Sequence, residues 1–227
     1  IANAEDYVRR IRNHASVGIY CGRNEGYPPE RIDKALRQIV KDEHPGMHYI
    51  SSSADDVVSG HGPYRMLPAK TYFTLEAGND KFHSERGMPN VLTYEGFKRT
   101  YSPEGMWPQS HEWGMHDYTL EGAQGATSFN EIIAEGYGKP QSAQEFAELA
   151  QWVNYDGHRS LFESRSKNRM GLLMWMSHSC WPSMVWQTYD YYLEPTAAYF
   201  AIKKASEPLH IQWNPATDEV EVVNYSA

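Results

Sequence analysis

Two glutamates each follow an apolar segment of the kind that forms a buried strand. "CGRNEG" places Asn24 and Glu25 directly after residues 16–22, and "FHSERG" places Glu85 near the end of residues 80–87. Retaining glycosidases use two carboxyl groups about 5–5.5 Å apart, one of which donates a proton to the leaving oxygen while the other attacks the anomeric carbon. A single carboxylate at a strand end is more often a surface or ion-paired group. The pair predicts catalytic roles for Glu25 and Glu85.

Histidines and aromatic residues surround these motifs in the sequence. Sugars present apolar C–H faces and hydroxyl rims, so flat rings and hydrogen-bonding side chains suit them. We expect the Asn24 amide to contact the 2-hydroxyl of a bound sugar and Trp175, near the end of an apolar segment, to form a platform. The predicted substrate-binding residues are Asn24, His61, Tyr64, His83, Trp113, Trp175, His178 and Trp181.

Two other kinds of site fit the sequence less well than this one. "HEWGMH" places His111 and His116 five residues apart, whereas a zincin helix needs its histidines at i and i+4, so we expect no metal. A serine nucleophile is disfavoured because the sequence holds no G-x-S-x-G elbow. Cys21 and Cys180 are too few for a disulfide framework and are expected to be thiols.

Composition limits the partners that the chain can have. Its 227 residues carry a formal net charge of −8, and no cluster of Lys and Arg offers a contact for phosphates, so nucleic acid is not expected. No apolar run reaches the ~18 residues of a membrane span. The chain opens on "IANAEDYVRRIRNH", which has the pattern of a helix interior, so we expect it to be part of a longer polypeptide whose remainder is a partner.

Elements of two kinds alternate along the chain. The predicted strands are residues 16–22, 47–53, 57–64, 80–87 and 171–180. The predicted helices are residues 7–11, 28–42, 91–100, 111–120, 127–136, 142–166 and 196–205. Short apolar strands separated by helices indicate an α/β fold with a parallel sheet buried on both faces. No strand is followed by a Gly-rich dinucleotide loop. A TIM barrel carries its chemistry at the carboxyl ends of its strands, which is where Glu25 and Glu85 fall.

The last stretch of the chain has a different pattern. "PLHIQWNPATDEVEVVNYS" contains two alternating segments around residues 214–218, which predicts a β-hairpin. We therefore expect residues 1–205 to be part of a TIM-barrel catalytic domain and residues 206–227 to be the first strands of a β-sandwich.

Three stretches of the sequence resemble the family 2 glycoside hydrolases. "CGRNEG" looks like the acid/base motif that closes the fourth barrel strand, and "FHSERG" looks like the nucleophile motif that closes the seventh. "GLLMWMSHSCWPSMVWQTYDYYLEPTAAYFAIKKASEPLHIQWN" is similar to the eighth strand and following helix of the exo-β-glucosaminidase, β-mannosidase and endo-β-mannosidase branch. The resemblance implies strands four to eight of a (β/α)8 barrel followed by the start of an immunoglobulin-like β-sandwich.

The resemblance also implies an activity: hydrolysis of a β-linked oligosaccharide or glycoconjugate with net retention and without a cofactor. In it Glu25 protonates the departing group, Glu85 forms the glycosyl-enzyme, and Glu25 then activates water. The tail resembles exo-β-glucosaminidases, some of which use Asp as the acid, whereas Glu25 is typical of mannosidase- or galactosidase-like members. A secreted or periplasmic location is favoured by the resemblance. The alternative is a carbohydrate-binding or scaffold module that has lost the chemistry, and we expect the chain by itself to be inactive.

Overall fold

Residues 1–120, 125–166 and 170–226 are described by a computed structural model. They form two compact units. The first consists of Ile1–His61 and Lys81–Glu85, and the second of Gly62–Asp80 and the chain from Arg86 onward. Helices and strands occur in both units, in agreement with the predicted α/β class.

The first unit begins with a parallel pair of strands joined by a helix. Its elements are α1 (Ala2–Ile11), β1 (Ile19–Cys21), α2 (Glu30–Glu43) and β2 (His48–Ile50). β1 and β2 are parallel, with Tyr20 opposite Tyr49. Parallel strands need a crossover of this kind, usually a helix. Because the two strands run the same way, the segments that follow them start at the same edge of the sheet.

The core of this unit lies between α1, α2 and the strand pair. Val8, Tyr20, Val40 and Tyr49 are buried there. The hydroxyl of Tyr49 donates to Asp33 Oδ1 at 2.7 Å. Burial and this bond raise the pKa of Tyr49, so the ring keeps its proton and joins β2 to α2.

The segment after β2 is less regular than the sequence predicts. Residues 57–64 do not form a strand; Val58 makes an isolated parallel bridge with Phe82. Pro63 has no N–H to give to a ladder, which explains part of the difference. Phe82 is followed by β3 (His83–Arg86), whose last residue belongs to the second unit.

The second unit is mainly helical. Its helices are α3 (Ala69–Glu76), α4 (Tyr94–Thr100), α5 (Pro103–Met106), α6 (His111–Met115), α7 (Ser128–Gly136), α8 (Ala143–Glu163) and α9 (Ala197–Ala205). Its strands are β4 (Leu172–Met174), β5 (Leu209–Asn214) and β6 (Glu219–Asn224). The sequence pattern did not predict α3 or α5. α3 buries Tyr72, Phe73 and Glu76 together, so its pattern is not the clean apolar stripe that predicts a helix.

The long helix α8 organises this unit. Ser142 caps its N-terminus, where the serine side chain accepts from the N–H of Glu145 at 3.1 Å. Phe146, Ala147, Ala150 and Val153 lie on its buried face and pack into an aromatic core. Such a cap and stripe are why this helix was predictable to within a few residues of its ends. Within the described parts of the chain, no helix is long and apolar enough to cross a membrane.

A buried ionic cluster lies where β3 enters this unit. Glu76 of α3 forms an ion pair with Arg86 at the end of β3. The Oε2 atom of Glu76 also lies 2.6 Å from Nη1 of Arg165. All three side chains are almost wholly buried. Charges taken out of water need partners of opposite sign, so this cluster ties Arg86 to α3 and to the end of α8.

β5 and β6 form the predicted antiparallel hairpin, with Trp213 opposite Val220. The hairpin buries polar side chains and exposes apolar ones. His210, Gln212 and Asn214 point inward, and Gln212 Nε2 donates to the Glu163 carbonyl at 3.2 Å. The opposite face of the hairpin is apolar and exposed; it consists of Leu209, Ile211, Trp213, Val220 and Val222.

Candidate active site

The turn after β1 holds Glu25 in an uncommon backbone conformation. Its φ angle is 51°, a left-handed value that few residues with a side chain adopt. The backbone N–H of Glu25 donates to Ser53 Oγ at 2.8 Å, and Ser53 Oγ lies 3.3 Å from Asn24 Oδ1. Arg23 closes the same turn by donating to the Tyr27 carbonyl at 3.0 Å. The turn is therefore fixed by specific bonds and presents Asn24 and Glu25 together.

A histidine faces the Glu25 carboxyl group. His61 Nδ1 lies 3.5 Å from Glu25 Oε1, and 65% of the His61 side chain is exposed against 37% for Glu25. A carboxyl group in this position is open enough to reach a substrate.

Glu85 lies inside β3 and is buried. Only 7% of its surface is exposed, and His83, two residues earlier on the same face of the strand, is fully buried. His83 Nδ1 lies 3.2 Å from the Ser59 carbonyl oxygen. This bond anchors the strand. Because the His83 ring is fully buried, the prediction that it binds substrate is corrected: the ring holds β3 in place.

Two bonds join the segments that carry these residues. Ser84, which precedes Glu85 in the sequence, donates its hydroxyl hydrogen to the Ser53 carbonyl at 2.6 Å. The Tyr27 hydroxyl donates to Asp55, and this bond raises the pKa of Tyr27 and lowers that of Asp55. The structure thus brings the turn after β1, the loop after β2 and strand β3 together within one unit.

The second unit carries its own aromatic group. The ring of Trp186 lies 5.6 Å from the ring of Tyr64 and 6.4 Å from that of Trp175, centroid to centroid. Trp175 is 38% exposed, as a sugar platform must be. Gly87 makes room for it: a Cβ at that position would overlap the Trp175 carbonyl oxygen.

The remaining predicted contacts differ in exposure. His178 and Trp181 are exposed, and Trp181 stacks on His116 with ring centroids 5.9 Å apart. Trp113 is only 1% exposed and packs against Phe97 and Phe146. No sugar can lie against a ring enclosed in this way. The prediction that Trp113 binds substrate is therefore corrected: it is a core residue.

Two residues described above, Ser53 and Trp186, were not among the predicted site residues. Ser53 is one of three consecutive serines after β2, at the sheet edge where Glu25 lies, and this position was its only signal. Trp186 lies in the long stretch that resembles the family, but nothing in the sequence distinguishes it from the other aromatic residues there. Within the described parts of the chain, no group of three or more His, Cys, Asp or Glu side chains could hold a metal ion.

Comparisons with known proteins identify the relatives of this chain. No protein-family model matches it. A mannosylglycoprotein endo-β-mannosidase of Lilium longiflorum is 27% identical over 97% of this chain and 28% of its own length. An exo-β-D-glucosaminidase of Streptomyces avermitilis is 28% identical over 95% of this chain and 26% of its own length.

The fold has solved counterparts too. The exo-chitosanase CsxA of Amycolatopsis orientalis superimposes with a TM-score of 0.84 at 24% identity, over 98% of this chain and 29% of that one. β-Mannosidases occur among both the curated relatives and the solved structures. This chain thus spans between a quarter and a third of each of these three proteins. It is a homologue of the exo-β-glucosaminidases, β-mannosidases and endo-β-mannosidases, which confirms the resemblance found in its sequence.

Proposed function

We propose that the protein containing this chain is a retaining β-glycosidase in which Glu25 is the acid/base and Glu85 the nucleophile. The observation that carries the proposal is the meeting of the Glu25 turn and strand β3 at Ser53. This arrangement places two carboxyl groups in one unit, one half-exposed and one buried. The curated homologues are β-glycosidases, which supports the same conclusion.

The proposed reaction has two steps. The Glu85 carboxylate attacks the anomeric carbon and forms an ester, while the bond to the leaving oxygen breaks and Glu25 gives that oxygen a proton. Glu25, now a carboxylate, takes a proton from water. The resulting hydroxide adds to the anomeric carbon and releases Glu85. Two inversions at one carbon give net retention.

The substrate contacts are proposed group by group. Asn24 is placed beside Glu25 and can donate its amide to the 2-hydroxyl, a bond that strengthens in the transition state. His61 adjoins the Glu25 carboxyl group. In the second unit, Tyr64 and Trp175 flank Trp186. We propose Tyr64 and Trp175, together with His178 and Trp181, as contacts for a sugar or for the group attached to it. His83 is proposed to support β3.

The proposed substrate class is a β-linked glucosamine or mannose. Structures of the Amycolatopsis protein hold PNP-β-D-glucosamine, and the Lilium protein is named for mannosylglycoprotein. Sugar identity depends on several loops, and this chain spans about a quarter of those proteins. A nitrophenyl β-mannoside and a nitrophenyl β-glucosaminide are the two substrates on which to test the assignment first.

We propose the barrel and sandwich assignment as well. Residues 1–205 would contribute strands four to eight of a (β/α)8 barrel and residues 206–227 the first strands of a sandwich. The apolar outer face of the hairpin supports the second part, because a sandwich covers such a face with its other sheet. Residues 1–227 alone are then expected to be inactive, and full activity from them would contradict this assignment.

The test of the function uses the full-length protein and three variants. Glu85→Gln and Glu25→Gln each remove one carboxylate at nearly constant shape, whereas Glu30→Gln changes an exposed carboxylate on α2 and serves as the control. We expect hydrolysis of at least one of the two aryl glycosides by the wild type and by Glu30→Gln, and its loss in Glu85→Gln. Turnover retained by Glu85→Gln would overturn the nucleophile assignment. Sugar binding without hydrolysis by the wild type would favour a binding module instead.

A further inference from the structure

Ser53 makes hydrogen bonds to both of the segments that carry the glutamates. Its hydroxyl oxygen accepts from the N–H of Glu25 at 2.8 Å and lies 3.3 Å from Asn24 Oδ1, to which it donates. Its own N–H donates to the Arg23 carbonyl at 3.0 Å. Three consecutive residues of the turn after β1 are thus held by one serine.

The carbonyl of the same residue reaches the other glutamate's strand. Ser84 Oγ donates to the Ser53 carbonyl at 2.6 Å, and Ser84 is the neighbour of Glu85. Gly60 leaves the space for this contact, because a Cβ there would overlap both the Ser53 carbonyl oxygen and Ser84 Oγ. Ser53 therefore connects the Glu25 turn to β3 through one residue.

The two hydroxyl bonds have separate chemical consequences. The first helps to maintain the left-handed conformation of Glu25, which is unfavourable for a residue with a side chain. The second engages one lone pair of Asn24 Oδ1 and so helps to fix the orientation of the amide, whose NH2 is the donor that Asn24 can offer to a ligand. Without the hydroxyl, both the direction of the Glu25 side chain and the orientation of the Asn24 amide lose a constraint.

We propose that Ser53 is a positioning residue that aims the acid/base and fixes its placement relative to the nucleophile strand. This inference rests on the proposed function and adds a residue to it. Acid catalysis depends on proton transfer over hydrogen-bond distance, so a small displacement of Glu25 reduces it. A mutation outside the reacting groups that displaces a catalytic group by about 1 Å can lower the rate roughly a hundredfold.

The experiment compares two substrates in the full-length protein. A dinitrophenyl β-glycoside has a leaving group that departs with little protonation, whereas a methylumbelliferyl β-glycoside of the same sugar needs the acid. Ser53→Ala should lower kcat/KM for the methylumbelliferyl glycoside roughly ten- to a hundredfold and have a much smaller effect on the dinitrophenyl one. Ser53→Thr keeps a hydroxyl at a half-buried position and should restore most of the loss.

A matched control lies two residues away. Ser51→Ala removes a hydroxyl that donates to Asp33 at 2.9 Å on α2, and its kcat/KM should match that of the wild type for both substrates. Ser84→Ala removes the bond between β3 and Ser53. It should lower kcat/KM for both substrates by a similar factor, because the hydrolysis of each needs Glu85.

The outcomes separate this inference from the proposed function. If Glu85→Gln is inactive but Ser53→Ala equals the wild type on both substrates, the role of Ser53 is overturned and the proposed function stands. An equal loss on both substrates in Ser53→Ala, together with a lowered unfolding temperature, would show a structural role and also overturn it. Retained activity in Glu85→Gln would defeat the proposed function itself.

Discussion

At the scale of single residues, the site depends on positions where the backbone comes close to other groups. Gly60 and Gly87 are two such positions: a Cβ added to Gly60 would overlap the Ser53 carbonyl oxygen, and one added to Gly87 would overlap that of Trp175. Close backbone approach of this kind is a common reason for glycine next to a functional segment. The approach of Gly87 to Trp175 could not be predicted from the sequence, because the two residues are distant along the chain.

Replacing Gly87 should damage the fold. A methyl group there would overlap the Trp175 carbonyl oxygen, so Gly87→Ala is expected to destabilise the protein by about 1–3 kcal/mol and to displace Trp175. Denaturant unfolding followed by tryptophan fluorescence measures both effects.

Gly136→Ala is the matched control for this substitution. Gly136 closes α7 and has nothing within 4 Å of its added Cβ, so the change is expected to be neutral or slightly stabilising. A Gly87→Ala protein as stable as Gly136→Ala would contradict the close approach.

The sequence predicted the single residues of the site unevenly. Glu25 and Glu85 were predicted because strand ends carry chemistry in α/β folds, and that argument needs only local patterns. Their catalytic roles stay a prediction. Ser53 and the enclosed position of Trp113 depend on which distant segments meet. An aromatic residue that binds sugar and one that fills a core have the same local signal, so Trp113 was assigned incorrectly.

At the scale of elements, α8 shows how burial controls a titration. His158 lies on its buried face, is 1% exposed, and its Nδ1 lies 2.8 Å from the Asn154 carbonyl oxygen. Burial lowers the pKa of His158 from 6.5 to about 4, although the bond to Asn154 opposes this shift. The folded protein therefore holds His158 neutral where the unfolded chain would protonate it.

The sign of the stability change follows from this difference. The unfolded state binds the extra proton below pH 6.5, so stability is full above that pH and decreases as pH falls toward 4, by at most about 1.4 kcal/mol per pH unit for this group. Unfolding free energies at pH 7 and pH 5 for the wild type and His158→Gln measure the effect. The variant should show a shallower pH dependence, and an equal slope would contradict the burial argument.

Elements differed in how well sequence predicted them. α2, α8 and the β5–β6 hairpin combine a clear period with caps or turn residues, and the structure has them within a few residues of the prediction. α3 was missed because it buries Glu76 beside aromatic residues, which breaks the apolar stripe. The strand expected at residues 57–64 is reduced to the bridge at Val58. Ionic clusters and irregular bridges are set by tertiary contacts, which local propensity does not contain.

At the scale of the whole molecule, two observations decide how the two glutamates should be tested. The chain spans 28% and 26% of the length of the Lilium and Streptomyces relatives and 29% of the Amycolatopsis structure. The outer face of the hairpin exposes five apolar side chains that nothing in the described chain covers. The central claim, that Glu25 and Glu85 divide the acid/base and nucleophile roles, therefore has to be tested in the full-length protein.

The most direct measurement is the configuration of the product formed when azide replaces the missing carboxylate. Glu25→Ala and Glu85→Ala proteins would each be given a dinitrophenyl β-glycoside and sodium azide, with the product examined by proton NMR. Glu25→Ala should yield the β-glycosyl azide, because azide attacks the intermediate on Glu85 in place of water. Glu85→Ala should yield the α-glycosyl azide, because azide then displaces the leaving group directly. The reverse pairing, or a β-azide from both variants, would contradict the assignment of the two glutamates.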